Sequence, residues 1–173
     1  HQILLQAGHV FIALADYRRA RRAFDVALQG AKAQPSLGVL ARSRALNGLG
    51  IVSKYQRRFA EGQADYKRAL RGLARSKDAH AGLVATLLHN LGGLEHARGR
   101  LGVAEVWSRR GLALRERTNR HDAIAVATDR AALAAILQAR KKYAEAARLY
   151  RRALVKLRRH LGHLPMDLEQ RPD

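Results

Sequence analysis

Apolar and small residues recur along this chain at spacings of three and four, which places them on one face of a helix. Near the amino terminus the pattern is Tyr17, Ala20, Phe24, Ala27 and Leu28. The same offsets return over 59–70, 101–112 and 143–154, each copy displaced by 42 residues. A small residue recurs with the same period upstream of this pattern, at Gly8, Gly50, Gly92 and Ala134. Two sequence features with the same 42-residue period indicate an internal repeat.

Each repeat predicts two antiparallel helices joined by a short break. The predicted helices span 2–14, 18–32, 38–55, 60–75, 79–97, 102–117, 122–139 and 144–160. They pair into four hairpins that form one domain over 1–160, with repeats at about 1–36, 37–78, 79–120 and 121–160. A short tail follows at 161–173.

The recurring small residues have a steric interpretation. Gly8, Gly50, Gly92 and Ala134 allow the first helix of each hairpin to approach the second closely. Ala20, Gly62, Ala104 and Ala146 do the same on the second helix. A glycine inside a helix costs roughly 0.5–1 kcal/mol relative to alanine. We therefore expect each of these positions to make a compensating contact between helices.

These residues resemble the tetratricopeptide repeat, which has a small residue in its first helix and an alternation of aromatic residues and alanine in its second. The resemblance extends over residues 1–160. Segments 46–50, 88–92 and 143–154 are most similar to the kinesin light chain type, although repeat 3 lacks the aromatic residues. The resemblance implies an all-α fold, a right-handed solenoid of four helical hairpins, whose first helices line a concave groove.

The candidate binding residues lie on the first helices, opposite the positions that pack inward. The resemblance places this face in the groove, and its polar and basic residues concentrate in repeats 2 and 3. The candidate peptide-binding residues are Arg44, Asn47, Lys54, His89, Asn90, His96, Ala131, Ala135 and Gln138.

The residue types on this face favour an acidic peptide. A carboxamide donates and accepts at once, so Asn47 and Asn90 suit the backbone amides of an extended segment. The alternative is that each asparagine bonds a neighbouring helix or water. Arg44 and Lys54 would select carboxylates, and the small side chains of repeat 4 leave room for an apolar anchor. We therefore expect a non-enzymatic protein-interaction module or scaffold.

The charge of the chain adds a second interpretation. The chain has 33 Lys and Arg against 14 Asp and Glu, a net charge of +19 that predicts attraction to polyanions. Many of the arginines fall on the predicted second helices, among them Arg68, Arg110, Arg115, Arg151 and Arg152. Such residues usually form a solvated surface, here the convex one. The alternative is a basic helical repeat that binds nucleic acid through its phosphates.

The sequence offers little for catalysis. It contains no phosphate-binding glycine loop, GxSxG elbow or HExxH motif. His89 and His96 lie seven residues apart, about 10.5 Å along one helix face, which is too far for a single zinc ion. Glu95 points to a different side, and the chain has no Cys. We expect no catalytic residue, no metal and no cofactor.

Three expectations concern the wider protein. No apolar run approaches the roughly 18–20 residues that span a bilayer, so we expect no membrane span and a cytoplasmic location. The chain begins with His1, which suggests a piece of a longer protein, such as the ligand-sensing regulatory domain of a signalling protein. The tail is too short for a full capping helix, so an uncapped end would allow self-association.

Overall fold

A computed structural model describes residues 1–34, 38–74, 80–118 and 121–161. These residues form eight helices and no strand: α1 (Gln2–Ala13), α2 (Tyr17–Ala33), α3 (Gly38–Tyr55), α4 (Phe59–Leu73), α5 (Ala81–Ala97), α6 (Leu101–Thr118), α7 (Ala123–Ala139) and α8 (Tyr143–Leu161). The prediction of an all-α solenoid of helical hairpins is confirmed, and each helix begins and ends within two residues of its predicted bounds. Beyond Leu161 the predicted tail lies outside the described residues.

The backbone conformation of the turn inside each hairpin also repeats every 42 residues. Ala15, Arg57, Gly99 and Lys141 all have positive φ, between 56° and 80°. The next residue then donates its amide N–H to a carbonyl five positions back, as from Asp16 to Phe11 at 2.9 Å. Only glycine adopts this left-handed conformation freely, and other residues pay about 1–2 kcal/mol. The closure of the helix end therefore outweighs residue preference in three of the four turns.

The small residues of the first helices face the second helices, as predicted. A Cβ added to Gly8 would lie 2.5 Å from the Phe24 ring, and one added to Gly50 would lie 2.5 Å from the Tyr66 ring. At Gly92 the added atom would lie 2.1 Å from the Ser108 hydroxyl oxygen. These contacts leave no room for any side chain. They compensate for the weaker helix propensity of glycine.

The first helices form the inner layer of the stack. Each contacts the first helix of the next hairpin, α1 with α3, α3 with α5 and α5 with α7. In the part of the chain that is described, no second helix makes such a contact with another second helix. The first helices are therefore spaced more closely, which curves the stack with α1, α3, α5 and α7 on the inside. We call the inner side of α3, α5 and α7, away from the second helices, the first-helix face.

Enlarging a small core residue should overpack a hairpin. Ala146 of α8 is only 3% exposed and packs in the cluster formed by α6, α7 and α8. We expect Ala146→Leu to lower the free energy of unfolding by about 1–3 kcal/mol, because the neighbours must shift to admit the added atoms. Urea denaturation followed by circular dichroism measures this change. Ala147→Leu is the matched control, since Ala147 is exposed on the same helix, and equal effects of the two variants would contradict the packing.

Candidate functional site

The first-helix face carries all nine residues predicted from the sequence. Helix α3 contributes Arg44, Asn47 and Lys54, α5 contributes His89, Asn90 and His96, and α7 contributes Ala131, Ala135 and Gln138. Arg44 and Gln138 are exposed, Asn47 is buried, and the other six are half-buried. The face is therefore a polar strip over repeats 2 and 3 that becomes small and apolar in repeat 4.

Two of the predicted residues meet directly. The Asn90 side-chain NH₂ group donates to the Asn47 side-chain oxygen at 2.8 Å, which joins α5 to α3. This bond is the alternative that the sequence left open, in which each asparagine bonds a neighbouring helix. It occupies one donor and one acceptor of the pair, while a carboxamide offers two donors and an acceptor with two lone pairs. The pair is thus fixed in place and keeps capacity for a further partner.

His89 belongs to a network that the sequence did not reveal. Its Nδ1 lies 2.8 Å from Oδ1 of Asp129 on α7. The other carboxylate oxygen of Asp129 accepts from Nε of Arg115 at 2.5 Å. Arg115 also donates to the Thr86 hydroxyl at 3.1 Å. The network ties α5, α6 and α7 together behind the first-helix face.

The expectation that Arg115 lies on the solvated convex surface was wrong. Arg115 is 6% exposed and Asp129 is 4% exposed. One repeat earlier the same two positions hold Leu73 and Leu87, both fully buried. Two charged residues therefore replace two leucines at one interface between hairpins. That paired departure from the repeat was visible in the sequence and is the signal that would have found the network.

The other predicted side chains are not bonded to one another in the described part of the chain. Lys54 is half-buried, and this burial lowers its pKa from the usual value. Its ammonium lies 4.8 Å from the centre of the Tyr55 ring, a cation–π contact. The Tyr55 ring in turn stacks on that of Tyr17, with centres 5.5 Å apart. Aromatic surface therefore adjoins the basic end of the strip.

Glu95, one of the residues considered as a metal ligand, makes a contact between helices. Glu95 is fully buried, and one of its oxygens accepts from the Gln63 side chain at 2.7 Å, which links α5 to α4. Throughout 1–34, 38–74, 80–118 and 121–161, no three His, Asp or Glu side chains come together in a way that could hold a metal ion. None of the helices in these ranges is long and apolar enough to cross a membrane.

The tetratricopeptide repeat family model matches residues 41–117 and 83–158, together more than half of the chain. The crystal structure of BtubC (BKLC) from P. vanneervenii superposes with a TM-score of 0.78 and 21% identity, covering 99% of this chain and 67% of BtubC. A Rap protein complexed with Competence and Sporulation Factor superposes with a TM-score of 0.79 and 16% identity. That match covers 88% of this chain and 41% of the Rap protein. No curated protein matches the sequence.

Proposed function

Because the chain belongs to the tetratricopeptide repeat family, we propose that it is a non-enzymatic interaction module that binds an extended acidic peptide along the first-helix face. The observation that carries the proposal is the bonded pair Asn47 and Asn90, held at 2.8 Å on two adjacent first helices. The family is generally one of protein-interaction repeats. The module would act by holding a partner, with no chemical step of its own.

The asparagine pair provides contacts for a peptide backbone. A peptide unit offers one N–H donor and one carbonyl acceptor, and a carboxamide can satisfy both. Because the two side chains already bond each other, their remaining groups keep a fixed direction. These donors and acceptors are already ordered in the folded protein. Binding a ligand therefore costs little further side-chain entropy, which favours binding.

His89 adds a contact of defined character. The proton on Nδ1 is directed to Asp129, so a neutral His89 would present Nε2 to a ligand as an acceptor. Its side chain is 25% exposed, which leaves it within reach of a bound segment. The buried carboxylate behind it is balanced by Arg115 and does not repel an acidic ligand.

The charge and shape of the strip support an acidic segment with one apolar anchor. Arg44 is exposed in the first half of α3, and Lys54 lies beside the Tyr55 ring at the carboxyl end of this helix. Both are cations, so the carboxylates of a partner would lie near them. The small side chains of Ala131 and Ala135 leave space for an apolar side chain on α7. The shared fold of the Rap protein complexed with Competence and Sporulation Factor is consistent with a ligand-binding solenoid.

The proposal is tested by ranking two groove variants. Acid-rich peptides selected from a displayed library on the wild-type protein would be titrated calorimetrically against Asn90→Ala and Lys54→Ala. We expect Asn90→Ala to weaken binding about ten- to hundredfold, because losing a buried hydrogen-bond partner costs roughly 1–3 kcal/mol. Lys54→Ala should cost less and act mainly on the association rate.

Arg18→Ala is the matched control for this titration, since Arg18 is exposed on α2, away from the first-helix face. Thermal unfolding of each variant separates lost binding from lost stability. Equal and negligible effects of the two groove variants would mean that peptides bind another surface.

Self-association stays a prediction. The two ends of the stack expose apolar side chains, with Ile3 at 80% and Leu14 at 69% in the first hairpin and Tyr143 at 62% in the last. Single exposed apolar residues are common on monomers. The role of a ligand-sensing regulatory domain likewise stays a prediction.

A further inference from the structure

One position of the second helices carries an exposed arginine in three successive hairpins. Arg68 on α4, Arg110 on α6 and Arg152 on α8 follow one another at intervals of 42 residues, and all three are exposed. We call these three residues the arginine ladder. Because each occupies the same place in its hairpin, the ladder repeats with the stack itself.

Basic cavities adjoin both ends of the ladder. The cavity beside Arg68 has a volume of about 290 Å³, and Lys32 and Arg42 also line it. The cavity beside Arg152 has a volume of about 350 Å³. Its other basic lining residues are Arg130, Arg151, Lys156 and Arg159.

The two cavities share part of their lining at an offset of two repeats. Gly72 lines the first cavity and Lys156 the second, 84 residues apart, as are Arg68 and Arg152. At this shared position the last hairpin has a lysine where the second hairpin has a glycine.

Among the described residues, several neighbours of the ladder are paired with carboxylates, whereas the ladder arginines are not. Arg109, the neighbour of Arg110, pairs with Glu105 and Glu145, so its charge is compensated. Arg130 pairs with Glu116 at 2.6 Å. No ladder arginine forms an ion pair with another described residue, and Asp65 acts on Arg68 only at longer range.

Lys32, Arg42, Arg151, Lys156 and Arg159 likewise form no ion pair among the described residues. The guanidinium of Arg110 lies 5.1 Å from the centre of the Trp107 ring, which orients it without neutralising it. Apart from Arg130, the arginine ladder and the basic residues that line its cavities thus form a surface of positive charge without ion pairs among the described residues.

We propose that the arginine ladder binds the phosphodiester backbone of a nucleic acid. A guanidinium fork grips phosphate oxygens bidentately, and Arg is favoured wherever such planar recognition matters. A regular row of cations fits a polymer with regularly spaced charges. Trp107 is half-buried against the core, so base stacking contributes little and the contacts are to phosphates. This activity is separate from peptide binding on the first-helix face.

Salt dependence tests the proposal on the whole chain. A fluorescein-labelled single-stranded DNA of mixed sequence, and its duplex, would be titrated by anisotropy between about 50 and 200 mM salt. The test variant carries Arg68→Ala, Arg110→Ala and Arg152→Ala. Each lost phosphate contact removes about 0.7 from the slope of log K against log salt for a single strand. Between these two salt concentrations wild type should therefore lose more affinity for the single strand than the variant does, by a factor of about 20.

The matched control carries Arg18→Ala, Arg22→Ala and Arg148→Ala, which are exposed second-helix arginines outside the ladder. It removes the same three charges and should keep the wild-type slope. Asn90→Ala should also keep it. Equal slopes for the ladder and control variants would overturn the proposal, because net charge alone would then explain binding. Displacement of the DNA by polyglutamate at equal charge would also overturn it, in favour of an acidic protein.

Discussion

Replacing Asp129 with alanine is expected to lower the free energy of unfolding by about 3–5 kcal/mol. Asp129 is 4% exposed and accepts from Arg115 at 2.5 Å, while Arg115 is itself 6% exposed. The substitution leaves a guanidinium buried between α6 and α7 with Thr86 as its remaining partner. Desolvating an unpaired cation is far more costly than losing a surface ion pair. Urea denaturation of the variant measures the loss.

The repeat itself supplies the rescue for this variant. At the preceding interface the corresponding residues are Leu73 and Leu87, both fully buried. The double variant Arg115→Leu with Asp129→Leu should therefore recover wild-type stability or exceed it, since well-packed apolar residues often replace a buried ion pair without cost.

Glu61→Ala is the control for charge removal, because Glu61 pairs with Arg21 and Arg58 at an exposed site and should cost at most about 1 kcal/mol. If Asp129→Ala costs no more than Glu61→Ala, the ion pair is not a buried one.

The hairpins were predictable because their signals are local and repeated. Apolar residues at spacings of three and four identify the buried face of a helix. Gly8, Gly50 and Gly92 each lie at a contact with the second helix of their own hairpin. The tetratricopeptide repeat is confirmed by the family model over residues 41–117 and 83–158. The left-handed turns at Ala15, Arg57 and Lys141 were not predictable from residue type, because tertiary closure of the helix end overrides the preference for glycine.

The site was predictable only as a set of positions. Helical periodicity placed Asn47 and Asn90 on one face, but whether they reach each other depends on the distance between α3 and α5. That distance is set by packing between hairpins, which no single-helix pattern contains. Arg115 and Asp129 lie on different helices, and only a comparison of both with their repeat equivalents links them. Contacts between repeats were therefore the part that sequence reasoning missed.

The Phe24 ring should be the most costly apolar side chain to remove from the first two hairpins. It is fully buried, and it fills the space between Gly8 of α1 and Gly48 of α3. A Cβ added to Gly48 would lie 2.3 Å from the ring. Phe24→Ala is expected to lower the free energy of unfolding by about 3–5 kcal/mol, because the rigid helix backbones on either side cannot close the cavity. Chemical denaturation provides the measurement.

The effect of Gly48→Ala should reverse sign with the residue at position 24. Beside Phe24 the new methyl group overlaps the ring, and the overpacking, about 1–3 kcal/mol, exceeds the gain in helix propensity of up to about 1 kcal/mol. In the Phe24→Ala background that overlap is gone, so Gly48→Ala should stabilise the protein. Gly30→Ala is the control, since nothing lies within 4 Å of a Cβ at that position and the same propensity gain applies. A stabilising Gly48→Ala in the wild-type background would show that the ring does not pack against α3, and the first hairpin would then dock on the second in another way.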